Sequence, residues 1–345
     1  MRCFVLAATL LSLVLLPATL RAPVFAQEAP SPDAPPPASD APPPPMEDSS
    51  AQTLNVNVNL VNLYFSARDK DGFITNLAKS DCVVAEDKAP QTIKNFTQEK
   101  NLPLTIGILL DTSGSQTNVL PLEKESGATF LRDVLTPKDE AFLISFDINV
   151  DLLSDYTNRA SEISRAMNKA QINTGATYGS ITGNGPPRGT LLFDAVYLAA
   201  HDKLRMEAGR KILVLLTDGG DQGSQETLKT ATEAAQKANA IVYVILIADR
   251  GFYGGAGMMY SGAGDMQRLA SDTGGRMIDV GHDGKRLEDA FRQIQDELRT
   301  QYLLSYTPTN AKADGTFRKI SLNCGKNLKV QTRTGYYAIS ATDQP

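Results

Sequence analysis

Three continuous apolar runs, at residues 105–110, 212–216 and 241–248, constrain this chain most. They lack the polar alternation of a half-exposed strand and are short for buried helices. They read as strands covered on both faces. Between and after them, apolar residues recur at helical spacing over about 121–135, 158–170, 191–206, 226–239, 265–273 and 285–299. In the last stretch Leu287, Phe291, Ile294 and Leu298 fall on one stripe, which marks core positions. Shorter strands are predicted at 141–146, 150–153 and 276–280. Strand–helix alternation of this kind predicts an α/β class: a doubly wound, mostly parallel sheet with helices on both faces.

The flanks follow another period. Over residues 53–67, Leu54, Val56, Val58 and Leu60 share one face, with Asn55, Asn57 and Asn59 on the other. The apolar phase then shifts to Val61, Leu63 and Phe65, which predicts a β-bulge or a break near Leu60. Asp71-Gly72 is a hairpin signal, and strands at 82–85 and 92–96 are joined by Glu86-Asp87-Lys88 as a turn. After Arg299 the chain is β again at 302–306, 317–323, 328–332 and 336–339, with a turn at Asp314-Gly315. Short strands are marginal alone. The economical arrangement is therefore one β-sandwich-like segment built from residues 51–100 and 300–340, with the α/β unit, 103–297, inserted in it.

Residues 1–26 read as a cleavable secretory signal. Arg2 is basic, residues 4–16 are apolar but short for a membrane span, and Val24-Phe25-Ala26 is a small-residue cleavage site. An uncleaved anchor is the alternative. Beyond this segment no apolar run is long enough to span a bilayer, so a secreted or periplasmic location is expected. Residues 27–50 hold nine of the 19 prolines and read as an extended, disordered spacer. No basic residue flanks a PxxP there, which disfavours a proline-motif ligand. Removing the signal leaves Cys82 and Cys324, one in each β flank. In an oxidising compartment the pair suggests a disulfide; two buried free thiols are the other reading. The net charge of −5, or −7 without the signal, argues against general nucleic-acid binding. Two histidines and three cysteines are too few for a zinc cluster or an iron–sulfur site.

The chemistry gathers at the predicted carboxyl ends of the strands, where open α/β sheets bind ligands. In ILLDTSGSQ, Asp111 ends a strand, and Ser113 and Ser115 follow at alternate positions of a turn that enters a helix. Gly189-Thr190 opens another helix, and LLTDGGD places Asp218 at the end of the next strand. Two carboxylates and three hydroxyls are hard oxygen donors, a set that suits Mg²⁺ or Mn²⁺. A strand-to-helix turn with Ser as N-cap is the bland alternative for the first motif alone.

With DTSGS, then GT before LLFDAV, then LLTDGG, residues 103–295 resemble the metal-ion-dependent adhesion site (MIDAS) of von Willebrand factor type A (VWA) domains. The wider pattern is similar to the VWFA-related proteins of Acidobacteria: RDKDG, IKNF, and a C-terminal YLLSYTP, DGTFRKI and GYYA. The resemblance implies metal-site roles for Asp111, Ser113, Ser115, Thr190 and Asp218. It also implies capture of a partner protein's Asp or Glu by the ion, without catalysis. Gln116 stands where many relatives have Met and is not a ligand position. Cys82 stands where the resemblance leads one to expect Phe, which favours pairing with Cys324.

Around this set, the Gly-rich loops 173–189 and 249–264 are expected to frame the site. Phe252, Tyr253, Met258, Met259 and Tyr260 serve either as a contact patch or as a lid. Arg188 reads as a solvated charge, with a rim charge at the site as the alternative. His201 and His282 lack a second ligand at metal spacing and read as structural or exposed. Asp194 either supports the site from behind or favours a helix start, and Asp221 reads as an exposed turn residue. A hydrolase using Ser113 lacks a G-x-S-x-G elbow and a base, and neither a P-loop nor H-E-x-x-H is present. A cytoplasmic role beside an AAA ATPase conflicts with the signal. A structural envelope protein whose metal only stabilises the fold remains the other alternative.

Overall fold

The structure, a computed structural model, describes residues 60–99, 102–173, 189–248 and 262–339. All of them fall within one compact unit. The expected signal, the spacer, the first alternating phase up to Asn59 and most of both Gly-rich loops lie outside the described residues.

In chain order the first flank holds β1 (Val61–Arg68), β2 (Cys82–Glu86), β3 (Ala89–Gln91) and β4 (Ile93–Gln98). The central unit holds β5 (Leu104–Asp111), α1 (Leu120–Val134), β6 (Glu140–Phe146), β7 (Val150–Thr157), α2 (Ala160–Lys169) and α3 (Leu192–Leu198). It continues with β8 (Arg210–Thr217), α4 (Leu228–Lys237), β9 (Ala240–Leu246), α5 (Gly262–Thr273), β10 (Met277–Asp279) and α6 (Gly284–Thr300). The second flank holds β11 (Tyr302–Tyr306), β12 (Phe317–Cys324), β13 (Lys329–Thr332) and β14 (Gly335–Tyr337).

The central sheet has the order β10-β9-β8-β5-β6-β7, parallel throughout except for β7. Every residue of β5, β8 and β9 is buried, as the apolar runs require. Alternate residues feed two cores. Ile106, Ile108 and Leu110 pack with α1, α2 and α6 on one face, whereas Leu109, Leu213 and Leu215 pack with α3, α4 and α5 on the other. Fully burying each such side chain contributes about 1.5–3 kcal/mol. The α6 stripe of Leu287, Phe291, Ile294 and Leu298 is buried as expected. Helix starts are fixed locally: Thr227 accepts from the Thr230 N–H, and Asp283 from the Arg286 N–H. In β5, Gly107 admits the neighbouring side chains. A Cβ there would lie 2.4 Å from Phe142 Cζ and 2.6 Å from Leu213 Cδ2.

The flanks form two four-stranded sheets, β13-β1-β11-β4 and β14-β12-β2-β3. Each mixes strands from both ends of the chain. Val61, Leu63 and Phe65, the second apolar phase of the opening segment, share one core with Val84, Leu304, Tyr306, Ile320 and Leu322. The α/β class with a sandwich-like β frame is therefore the observed architecture. The register of β2 on β12 sets Cys82 directly opposite Cys324, and the two are joined by a disulfide. It spans a sequence separation of 242, for which the chain-entropy model gives an upper value of about 5.5 kcal/mol.

One turn differs from the sequence reading. Asp87 and Lys88 alone make the β2–β3 turn, both with positive φ, and Glu86 belongs to β2 and is buried. Its carboxylate accepts from the hydroxyls of Tyr306 and Tyr336, at 2.9 and 3.0 Å. Polarity alone assigned it to the turn; two tyrosines distant in sequence make its burial tolerable.

Candidate metal centre

The centre is built where β5, β6 and β8 end. Asp111 is the last residue of β5 and is fully buried. Its Oδ1 accepts from the Ser113 N–H at 3.0 Å, which turns the chain sharply after the strand. Its Oδ2 accepts from the Thr217 hydroxyl at 2.6 Å, across from β5 to the end of β8. The Ser113 and Ser115 hydroxyl oxygens stand 3.0 Å apart. Asp218 follows Thr217, is buried, and accepts from the Gly220 N–H at 3.1 Å.

Thr190 is reached through the backbone. Its N–H and C=O both bond Gln222, at 2.9 Å each, and the Leu191 N–H donates to the Asp147 carbonyl at 2.7 Å. Asp147 also links the β5 turn, accepting from the Thr112 hydroxyl at 2.8 Å and from the Asn173 side-chain amide at 3.1 Å. The segments after β5, β6 and β8 and the one before α3 are thus tied into one rim. The structure brings Asp111, Ser113, Ser115 and Asp218 together and holds Thr190 on the same rim.

Charge makes this rim unusual. Burial, and next the charge of Asp218, push the Asp111 carboxyl up to about 7, against hydrogen bonds from Ser113 and Thr217 that favour the carboxylate. Two carboxylates beside hydroxyl oxygens suit a hard divalent cation, which would relieve the repulsion between them. Among the described residues no group of three or more His, Cys, Asp or Glu is arranged as a metal site, so hydroxyls must supply part of any shell.

Several participants were not legible in the sequence. Thr217, which bonds Asp111 and accepts from the Gly219 N–H at 2.9 Å, had a signal only as the residue before Asp218. Asp147, just beyond β6, had none. Two further polar side chains sit in the turn and first helix after Ser115. Gln116 and Glu123 are both fully buried, and none of their side-chain oxygens or nitrogens has a hydrogen-bond partner among the described residues. An unsatisfied buried polar group costs about 1–3 kcal/mol, more when charged. The Glu123 carboxyl is pushed well above the usual range by burial and then by the charges of Asp111 and Asp218.

Other residues resolve into supports. The Asp194 carboxylate accepts from the Gln225 and Glu226 N–H groups, so it ties α3 to the loop after β8. Asp221 is exposed, as expected, and also accepts from the Phe193 N–H at 3.2 Å. His201 is exposed, 2.7 Å from Asp202 and stacked on Tyr197; His282 is exposed. Arg188 and the aromatic and Met residues at 252–260 lie outside the described residues.

No family model and no curated protein matches the chain. Solved structures do. BatB of Bacteroides thetaiotaomicron, a conserved hypothetical protein, is similar at 16% identity over 57% of this chain and 99% of that one, TM-score 0.44. The proximal thread matrix protein 1 of the mussel byssus, with a zinc-occupied MIDAS motif, is similar at 16% identity over 61% of this chain and 48% of that one, TM-score 0.45. This chain thus spans about half the length of the mussel protein. The von Willebrand factor domain of the pilus tip protein Mfa5 of Porphyromonas gingivalis is similar at 13% identity over 57% of this chain and 95% of that one, TM-score 0.42.

Proposed function

We propose that this chain is a secreted or periplasmic, non-catalytic binding protein. It holds Mg²⁺ or Mn²⁺ on Asp111, Ser113, Ser115, Thr190 and Asp218, and so captures an Asp or Glu side chain of a partner protein. The observation that carries the reading is the meeting of Asp111 and Asp218 in one buried place, with the Ser113 and Ser115 hydroxyls 3.0 Å apart on the same rim.

When bound, the cation would supply a Lewis-acidic position for a carboxylate. The chain's own groups set how strongly it does so. Asp111 and Asp218 contribute negative charge that formally balances a divalent ion, whereas Ser113, Ser115 and Thr190 contribute only neutral oxygens, so a partner carboxylate would be drawn by an open ligand position on the ion rather than by surplus charge. With seven more acids than basic residues once the signal is gone, the chain's overall field does not draw in an acidic partner, so attraction is local. Nucleic acid is disfavoured as a partner for the same reason. No helix among the described residues is long and apolar enough to cross a membrane.

Hydrolysis by Ser113 is disfavoured by its surroundings. Its hydroxyl neighbour is Ser115, and the two histidines are exposed, with His201 beside Asp202. A second reading has one observation in its favour: Asp111 is wholly buried, so a cation there could serve only to stabilise the fold.

The test pairs wild type with Asp111→Ala. Calorimetry should show Mg²⁺ or Mn²⁺ affinity falling at least about 100-fold in the variant, since even residues behind a metal shell change affinity 10–100-fold. Capture of a protein from envelope extract should need Mg²⁺ and be lost in EDTA and in the variant. Equal capture by both proteins, insensitive to EDTA, rejects the reading. Metal-dependent melting with metal-independent capture selects the fold-stabilising alternative.

A further inference from the structure

The buried wall behind the rim holds polar groups that the five proposed ligands do not explain. Gln116 directly follows Ser115 in the short helical turn Gly114–Gln116, and Glu123 lies in the first turn of α1. Both are fully buried, yet the Gln116 oxygen and nitrogen and both Glu123 oxygens have no hydrogen-bond partner among the described residues. Most buried side-chain polar groups are bonded, and besides these two residues the unpartnered atoms are nitrogens of four arginines; a side chain with no bond at all calls for an explanation such as an ordered water or an ion. Packing does not need polarity here, because Leu120, Phe130 and Leu131 of the same helix enter an apolar core.

The backbone ties Glu123 to the rim: its N–H donates to the Val119 carbonyl at 3.1 Å, and the Val119 N–H donates to the Gln116 carbonyl at 3.0 Å, directly after Ser115. After burial, the charges that act most on it are those of Asp111 and Asp218. Glu123 does not form a three-carboxylate metal site with them, however, since no such group is found among the described residues. A carboxylate within their field but not around their common point can act on a cation only through something between. Mg²⁺ and Mn²⁺ accept that arrangement, because Mg²⁺ gives up its waters reluctantly and retains several when protein-bound.

We propose that Glu123 and Gln116 form the inner wall of the cation centre. Glu123 acts on the cation as a third carboxylate through an intervening water that Gln116 also holds. The proposal rests on the metal-binding reading above and adds to it two positioning residues that favour a water-retaining cation. Gln116 can both donate to and accept from a water, and Glu123 accepts from it, which satisfies the polar atoms on this wall.

Mn²⁺ is the probe. The full chain, stripped with EDTA, is titrated while free Mn²⁺ is followed by electron paramagnetic resonance. Wild type, Asp111→Ala, Glu123→Gln and Gln116→Met are compared. Glu123→Gln keeps the shape and removes the charge. It should weaken Mn²⁺ binding about 10- to 100-fold, the range for groups that act behind the first ligands. Gln116→Met should weaken it less but measurably. Water-proton relaxation by the bound Mn²⁺ should change in both variants, which a merely structural role would not produce. Zn²⁺, which keeps fewer waters in protein sites, should be affected less, so the Mn²⁺-to-Zn²⁺ preference should fall. If both variants bind Mn²⁺ as wild type does while Asp111→Ala loses it, the inner wall is rejected and the metal centre stands. If wild type binds no Mn²⁺, both are rejected. Should Glu123→Gln fail to fold, wild-type affinity and relaxation in Gln116→Met reject the proposal by themselves.

Discussion

The β frame and the carboxyl edge of the central sheet both bury acids, and they treat them differently. In the frame, Glu86 receives two tyrosine hydroxyls, from Tyr306 and Tyr336. Where α6 meets β1, Glu297 receives the Ser66 hydroxyl at 2.8 Å and lies 2.9 Å from Arg276 Nε, an ion pair by distance although that N–H is not aligned as a hydrogen bond. At the sheet edge, Asp111 receives the Ser113 N–H and the Thr217 hydroxyl, with the Ser113 hydroxyl also favouring its carboxylate, while facing the charge of Asp218, and Glu123 receives no hydrogen bond from the described residues. Burial of a charge is tolerated only when it is paired or bonded. The frame meets that requirement from its own sequence. The edge leaves it partly unmet among the described residues, which is the contrast that the proposed cation centre would explain.

The sharpest way to break this contrast is pH. In metal-free protein the Asp111 carboxyl is held at about 7, above its unfolded value of 3.8, so the folded state binds the proton more tightly. Linkage then makes stability fall as pH rises from about 4 to about 7, by an amount on the order of a few kcal/mol, with no further change above. Glu123, also raised, adds a slope of the same sign. Exposed acids held low, such as Asp155 and Asp314, slope the other way at lower pH, so the measurement is the difference between wild type and Asp111→Asn. Urea melts in EDTA should show wild type losing stability relative to the variant across that window. Parallel curves would mean that the edge is no less satisfied than the frame.

The frame has its own test. Tyr306 is fully buried, and its hydroxyl is one of two donors to Glu86. Tyr306→Phe should lower stability by about 1.5–3 kcal/mol, the range for a hydrogen bond to a charged group, and leave Mn²⁺ affinity unchanged. A loss well below 1 kcal/mol would show that Glu86 is not dependent on its partners, and the two regions would then differ less than their contacts suggest.

What could be read beforehand follows from the range of each interaction. The strands 105–110, 212–216 and 241–248 announced themselves because burial on both faces leaves a continuous apolar run. The placement of Ser113, Ser115 and Asp218 was legible because it depends on neighbours a few residues away or on a strand end. Cys82 and Cys324 could be paired in principle by compartment, but only the β2–β12 register sets them face to face. Glu86 could not be read, because the tyrosines that make it buriable are more than 200 residues away. Gln116 reads as no ligand and Glu123 carries no sequence signal, because a polar residue at a helix start has the pattern of a solvated one and only the fold buries it.

The smallest expected effect separates acids that belong to the site from those that only stand beside it. Asp194 is near the rim in sequence, one helical turn after Thr190, and could be taken for part of it. Its carboxylate instead accepts the Gln225 and Glu226 N–H groups, at 3.2 and 2.8 Å, which ties α3 to the loop after β8 through neutral donors and a half-buried acid. Asp194→Ala should therefore lower stability by only about 1 kcal/mol and leave Mn²⁺ affinity within twofold of wild type. A tenfold loss of Mn²⁺ affinity would place Asp194 with Glu123 behind the cation, and partnering by the chain would no longer distinguish structural acids from functional ones.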